Sequence, residues 1–131
     1  IKPNKKLVEI MKSELKQSPI IFNESQRIAV ETSIRKLCED RNYFLQAINV
    51  RTNHVHAVVT AQMKPERIAD SFKAYATKKL REEKLFSSEI KIWSRGRSRR
   101  YLWKPRHVEL AIDYVIFGQG DLTFEIPEDD E

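Results

Sequence analysis

The amino-acid sequence predicts one α+β domain in which helices pack on an antiparallel sheet. Apolar residues recur at helical spacing in four segments, and two neighbouring segments alternate between apolar and polar residues. No internal repeat or interdomain linker divides the 131 residues, a length that is sufficient for one packed core. We therefore expect the elements in the order α-α-β-β-α-β-α.

Two helices are predicted before the first strand. Residues 5–17 precede Pro19 and carry apolar residues at helical spacing, namely Leu7, Ile10, Met11 and Leu15. The second helix covers 23–41, where Asn23 is a good N-cap and Gln26 lies three residues further on. Its predicted buried stripe contains Ile28, Ile34, Leu37 and Cys38, so this single cysteine is expected to be a buried thiol.

The middle and the end of the chain predict the remaining elements. Residues 43–50 and 54–61 alternate as strands, and the short connection 51–53 favours an antiparallel hairpin. Pro65 begins a helix over 65–85, in which Ile68, Phe72, Ala76 and Leu80 recur every fourth residue. A strand at 89–94, a basic loop at 95–100 and a helix at 106–117 follow, and the segment "GQG", residues 118–120, ends that helix.

The charge is distributed unevenly. Residues 121–131 hold six of the 19 acidic residues and none of the 24 basic ones, so the remaining chain carries a net charge of +11. We interpret 1–120 as one domain and 121–131 as a flexible acidic tail. A basic body favours a polyanionic partner, with nucleic acid as the first candidate.

No apolar segment approaches the roughly 20 residues needed to cross a bilayer, so we expect a cytoplasmic protein without membrane contact. The first residue, Ile1, suggests that upstream sequence has been removed.

Two histidines stand one residue apart at the start of the second predicted strand. Because side chains alternate across a strand, His54, His56, Val58 and Thr60 share one face. Two imidazoles a few ångströms apart suit one divalent metal ion. Two half-buried histidines that only form hydrogen bonds are the alternative, and the spacing alone does not decide between them.

The segment "NHVHAVV" resembles the histidine-hydrophobic-histidine motif of the HUH endonucleases. It is most similar to the single-tyrosine transposases of insertion sequences and their REP-associated relatives. The resemblance extends over roughly residues 22–120, because "LQAINVRTNHVHAVVTA", "KPERIADSFKAYATKKLRE", "IWSRGRSRRYLW" and "AIDYVIFGQG" follow in the family's order. It implies a ferredoxin-like (RRM-like) core. Family members have a central strand before their first helix, and here that strand is either missing or replaced in some other way.

The resemblance implies a tyrosine nucleophile, and the matching residue is Tyr114. In the family this tyrosine attacks a DNA phosphodiester, forms a 5′-phosphotyrosine link and releases a 3′-hydroxyl. A phenol with a pKa near 10 is a poor nucleophile alone, so a metal ion on the phosphate oxygens is expected to assist. Periodicity by itself favours a core role for Tyr114, and Tyr101 is the second choice as nucleophile.

The resemblance also implies a metal site in which His54 and His56 are joined by a third ligand from the tyrosine's helix. The residue one turn after Tyr114 is Gly118, so Gln119 is the predicted ligand, with capping of the helix as its alternative role. Asp113 or His107 could replace it. Mg²⁺ and Mn²⁺ are the expected ions, since phosphate and water oxygens would complete the coordination shell.

Residues 91–106 contain seven basic residues, no acidic ones and three interleaved aromatic residues. Basic side chains neutralise phosphates and aromatic rings stack on exposed bases, although a solvated loop anchored by its tryptophans is the alternative. The predicted nucleic-acid-binding residues are Lys73, Lys78, Arg95, Arg97, Arg99, Arg100, Tyr101 and Lys104. The family implies single-stranded or hairpin DNA as the partner and a homodimer as the assembly.

Three functions remain open at the level of sequence. The first is a metal-dependent DNA transposase that uses Tyr114. The second is an inactive or domesticated relative that only binds DNA hairpins, suggested by Gly118 and by the missing strand. The third is a cyclic phosphodiesterase acting on RNA ends, which ranks last because its two H-x-T/S motifs are not found.

Overall fold

The protein is described here by a computed structural model, which covers residues 10–16, 20–87, 91–93, 98–101 and 105–117. Within these residues the elements follow the order β-α-β-β-α-β-α. They are β1 (Ile10–Lys16), α1 (Glu24–Arg41), β2 (Phe44–Val50), β3 (His54–Thr60), α2 (Pro65–Glu82), β4 (Ser98–Tyr101) and α3 (Pro105–Ile116). The predicted acidic tail, 121–131, lies outside the described residues.

The four strands form one antiparallel sheet in the order β2-β3-β1-β4. The first six elements therefore make the β-α-β-β-α-β unit of ferredoxin-like folds, and α3 is added after it. The predicted α+β class with a ferredoxin-like core is confirmed. The predicted hairpin is confirmed as well, because β2 and β3 pair directly through the short connection between them.

The first predicted helix is wrong over residues 10–16, which form the strand β1; residues 5–9 lie outside the described residues. The strand that was expected to be missing is thus present, and it lies centrally, paired with β3 on one side and with β4 on the other. Its sequence, "IMKSELK", fits a helical period through its apolar residues. From Met11 onward it also alternates between charged and uncharged residues, and pairing on both sides selects the strand.

Helix α1 begins as the sequence predicts. The side chain of Asn23 accepts a hydrogen bond from the backbone N–H of Gln26, and the Gln26 side chain accepts one from the backbone N–H of Asn23, both at 2.8 Å. Cys38 is buried, as predicted. Ile28 is not, because 59% of its surface is exposed. At 100° per residue it stands on the opposite side of the helix from Val30, which is in the core.

Two cores lie on opposite faces of the sheet. Helices α1 and α2 pack on one face against Val55, Ala57 and Val59 of β3. The four residues that recur along α2, Ile68, Phe72, Ala76 and Leu80, are all buried in this core, as predicted. Helix α3 covers the other face, where its buried residues contact Ala47 and Val58. The sheet therefore separates α3 from the two longer helices.

The predicted strand at 89–94 is not found in its described part, where Lys91 and Ile92 have no regular structure and Trp93 forms only an isolated bridge. The predicted basic loop is also partly wrong, because its last residues, 98–100, belong to β4. Pairing with β1 explains this change, since it supplies the backbone partners that a loop would lack. Among the described residues, no helix is long and apolar enough to cross a membrane.

Candidate active site

Strand β3 divides its side chains as the alternation predicts. Val55, Ala57 and Val59 enter the core under α1 and α2, whereas Val58 packs on the opposite side with α3. We call this second side, presented by His54, His56, Val58 and Thr60, the histidine face. His54 is half-buried at the start of the strand, and His56 is buried with 7% of its surface exposed. The two imidazole rings lie 5.6 Å apart, centroid to centroid.

The turn before the histidines is held by backbone hydrogen bonds. The N–H of Arg51 donates to the carbonyl of His54 at 2.8 Å, which closes the hairpin. The N–H of Phe22 donates to the carbonyl of Thr52, also at 2.8 Å, and Phe22 itself is buried in the larger core. These bonds fix the position at which His54 leaves the turn.

Helix α3 brings Tyr114 to the histidine face. Pro105 is its first residue, a position that proline favours, and its buried residues recur with helical spacing: Val108, Ala111, Tyr114 and Val115. Tyr114 is 5% exposed, and its ring centroid lies 5.6 Å from that of His56, with the ring planes at 73°. Tyr114 is therefore a core residue and a neighbour of the histidine pair at the same time, so the two roles considered from sequence do not exclude each other.

Asn53 orients the first histidine. Its Oδ1 lies 2.8 Å from Nδ1 of His54. An amide oxygen can only accept, so Nδ1 carries the proton in the neutral ring and Nε2 carries the lone pair. Metal-binding histidines commonly use one ring nitrogen for the metal and donate from the other to such an oxygen. The arrangement of Asn53 and His54 thus fits a metal ligand.

The donor set on the histidine face suits one divalent cation. Two adjacent imidazoles bind Mn²⁺ readily, and Mg²⁺ more weakly unless oxygen ligands complete its shell. Within the described ranges, no cluster of three or more His, Cys, Asp or Glu residues is assembled. The predicted third ligand, Gln119, lies outside the described residues. Of its alternatives, Asp113 is exposed on α3 and His107 lies in the first turn of that helix.

The structure describes five of the predicted nucleic-acid-binding residues, and they belong to two elements, α2 and β4. Lys73 and Lys78 line an open groove on α2, the helix on the far side of the sheet from the histidines. Arg99, Arg100 and Tyr101 lie in β4, which pairs with β1. The other three residues of the set, Arg95, Arg97 and Lys104, lie outside the described residues.

The sequence reasoning missed two residues at the level of His56. Asn49 on β2 and Glu14 on β1 lie directly opposite His56 in the strand register, one on each side. The side chain of Asn49 also reaches α3, where its Nδ2 donates to the carbonyl of Val115 at 3.0 Å. A polar residue inside the apolar strand "FLQAINV" was the available signal for Asn49. Glu14 was hidden by the helical interpretation of β1.

The family profile of IS200-like transposases matches residues 4–111 of the chain. The chain belongs to this family. The resemblance recognised in the histidine motif is therefore confirmed, and it now includes β1. The match ends before Tyr114. In this IS200-like transposase, the place of Tyr114 beside His56 therefore rests on the structure and not on the family profile. Comparison with curated proteins gives no match.

Two solved structures have the same fold as this IS200-like transposase. One is a REP-associated tyrosine transposase bound to a REP hairpin, with a TM-score of 0.64 and 14% sequence identity. The similarity covers 82% of this chain but only 64% of the length of that protein. The other is a protein from Deinococcus radiodurans R1 assigned as a transposase, with a TM-score of 0.61 and 14% identity. Here 84% of this chain and 89% of the other are covered.

Proposed function

We propose that this chain is a metal-dependent DNA transposase that cleaves and rejoins single strands through a 5′-phosphotyrosine intermediate. The observation that carries the proposal is the position of Tyr114. Helix α3 places its ring beside His56 on the face that also carries His54. The proposed nucleophile and the two proposed metal ligands, which come from distant parts of the sequence, are thus neighbours.

The proposed reaction exchanges one phosphodiester for another. The hydroxyl oxygen of Tyr114 attacks phosphorus, the P–O3′ bond breaks, and the phenolic proton is lost while the departing 3′-oxygen gains one. The chain then holds the 5′-phosphate on Tyr114. Attack by a 3′-hydroxyl reverses these steps and restores the phosphodiester, so no external energy source is needed. The packing of Tyr114 between α3 and the sheet limits its motion, which favours in-line attack.

His54 and His56 would hold one Mn²⁺ or Mg²⁺ ion, with Gln119 proposed as the third ligand. A bound cation offsets the negative charge that develops on the phosphate oxygens. Asn53 keeps Nε2 of His54 in the form that can bind the ion.

Hairpin or single-stranded DNA is the proposed substrate. One structurally similar transposase is bound to a REP hairpin, which supports a structured DNA end as the ligand class. The chain outside the acidic 121–131 segment carries a net charge of +11, which favours binding to phosphates. We also propose that the protein forms a homodimer and acts in the cytoplasm, where its DNA would be accessible.

A catalytically inactive hairpin-binding protein is the alternative. One of the two features that suggested it, the missing first strand, no longer applies because β1 is present. The other feature, Gly118 at the expected ligand position, lies outside the described residues. The two functions differ in whether a covalent adduct forms.

The test is a covalent-adduct assay. Purified protein is incubated with Mn²⁺ or Mg²⁺ and a labelled pool of hairpins that carry randomised single-stranded flanks. Denaturing electrophoresis then detects protein that carries labelled DNA, and mass spectrometry locates the modified residue. We expect an adduct on Tyr114 that requires the metal.

Two conservative variants serve as a matched pair. Tyr114→Phe removes the hydroxyl and keeps the ring, and it should abolish the adduct. Tyr101→Phe makes the same change at the second-choice nucleophile and should leave the adduct intact. An adduct that survives in Tyr114→Phe would overturn the assignment of the nucleophile. Hairpin binding without any adduct, unaffected by His54→Ala and His56→Ala, would support the inactive alternative.

A further inference from the structure

Asn49 connects the two halves of the candidate active site. It lies in the edge strand β2, half-buried beneath α3. Its Nδ2 donates a hydrogen bond of 3.0 Å to the backbone carbonyl of Val115, a residue 66 positions later in the sequence. Val115 directly follows Tyr114, so the bond is made to the helical turn that carries the proposed nucleophile.

The same residue is fixed relative to the histidines by the sheet. A bulge between Leu45 and Ala47 shifts the register of β2, and as a result Asn49 lies directly opposite His56. Directly opposed residues share a sheet face. The backbone of Asn49 is therefore held by the strand pairing beside His56, while its side chain holds the turn beside Tyr114.

The carbonyl of Val115 has a partner from outside its own helix, the side chain of Asn49. It stands in the last turn of α3, where carbonyls lack the N–H groups that a longer helix would supply. Asn49 thus caps this end of α3 from the sheet.

We propose that Asn49 is a positioning residue that sets the distance between the Tyr114 hydroxyl and the metal-binding histidines. This inference rests on the proposed function. Without the bond, α3 keeps its apolar contacts with the sheet, but its last turn is free to shift along β2. A displacement of about 1 Å at a reacting group can reduce a rate about 100-fold.

Asn49→Asp is the sharpest test, because a carboxylate has nearly the same shape as the amide but cannot donate to the Val115 carbonyl. Gln46→Glu is the matched control on the same strand. Gln46 accepts a hydrogen bond from Oγ1 of Thr60 at 2.9 Å, and a carboxylate can still accept it. Both variants add one negative charge to β2, so their difference isolates the bond to α3. Asn49→Ala removes the donor without adding charge and should behave as Asn49→Asp does.

Two measurements separate this inference from the proposed function. The first is the single-turnover rate of adduct formation at saturating DNA, which should fall about 100-fold in Asn49→Asp and Asn49→Ala, with DNA affinity unchanged. The second is the NMR cross-peak between the ring protons of His56 and Tyr114, measured without DNA or metal. It should weaken in the two Asn49 variants and persist in Gln46→Glu.

Each result has a defined meaning. If the wild-type protein forms no adduct, the proposed function fails, and the NMR cross-peaks still test the positioning role. If the Asn49 variants keep both the adduct rate and the cross-peak of wild type, the positioning role is wrong. Equal losses in Asn49→Asp and Gln46→Glu would also overturn it, since the added charge would then explain the effect.

Discussion

The rings of His56 and Tyr114 meet edge to face, with their centroids 5.6 Å apart, although 57 residues separate them in the sequence. Both side chains are at least nine-tenths buried. Burial restricts each ring to one arrangement, so the geometry is a property of the folded core and not of a flexible loop. It also joins the proposed nucleophile to the proposed metal site within a single chain.

This arrangement predicts that a homodimer would contain two complete sites, each formed by one chain. A mixture of His56→Ala and Tyr114→Phe chains should then form no adduct, because no chain carries both groups. Co-expression of the two variants with different affinity tags, followed by purification through both tags and the adduct assay, makes the measurement.

A mixed dimer of wild type and Tyr114→Phe is the control, and it should form an adduct through its wild-type chain alone. Adduct formation by the His56→Ala and Tyr114→Phe mixed dimer, at about half the level of wild type or more, would instead show that the tyrosine of one chain acts with the histidines of the other.

The sequence predicted the relative position of the two histidines better than it predicted the neighbouring element β1. The alternation of β3 correctly placed His54 and His56 together, because successive side chains of a strand point to opposite faces of the sheet. The contact between Tyr114 and His56 could not be predicted from residue spacing, because the helical period of α3 does not indicate which strand the helix covers. That expectation came from the family resemblance.

The segment 10–16 shows why the rest could not be predicted. Its apolar residues satisfy the helical period, and its alternation from Met11 to Lys16 satisfies the strand period equally well. Only the presence of two pairing partners, β3 and β4, selects the strand. The partner β4 was itself interpreted as a loop, because a run of arginines does not resemble a strand. One error therefore concealed the other.

The hydrogen bond between Asn53 and His54 predicts a measurable contribution to metal binding. Asn53→Ala should weaken Mn²⁺ affinity about 10-fold to 100-fold, because the orientation and the proton position of His54 are no longer fixed. Isothermal titration of the protein with Mn²⁺ provides the measurement. Asn53→Asp keeps an accepting oxygen and should restore most of the affinity, whereas Gln62→Ala, an exposed amide in the next loop, should have no effect. Unchanged affinity in Asn53→Ala would contradict the proposed role of His54.

Two neighbouring arginines in β4 should differ in their effect on DNA binding. Arg100 pairs with Lys12, which pairs with Val58 of the histidine face, whereas Arg99 pairs with Ser13, which pairs with Ala57 on the α1 and α2 side. If single-stranded DNA follows the histidine face, Arg100→Ala should weaken binding and lower the salt dependence by about 0.7 in log–log slope. Fluorescence anisotropy over a range of salt concentrations measures both quantities.

Arg99→Ala is the matched control for Arg100→Ala, since the two residues are adjacent and carry the same charge. It should change binding much less, as should Lys73→Ala on the far side of the sheet. A larger loss in Arg99→Ala or Lys73→Ala than in Arg100→Ala would place the DNA on the other face of the protein.

The buried thiol of Cys38 predicts a loss of stability at high pH. Burial raises the pKa of this thiol from 9.0 to about 11, and only 2% of the residue is exposed. Between about pH 9 and pH 11 the unfolded chain has lost the thiol proton while the folded chain retains it. The unfolded state then binds fewer protons, so the free energy of unfolding falls as pH rises, by at most about 1.4 kcal/mol per pH unit.

Urea unfolding of wild type and Cys38→Ala across this pH range isolates the contribution of the thiol, because all other titrating groups are common to both proteins. The variant should be less stable near neutral pH, since it leaves a small cavity between α1 and the sheet. Its stability should decline less steeply than that of wild type above about pH 9. Parallel declines in the two proteins would mean that the thiol ionises equally well in the folded and unfolded states, which a buried position does not allow.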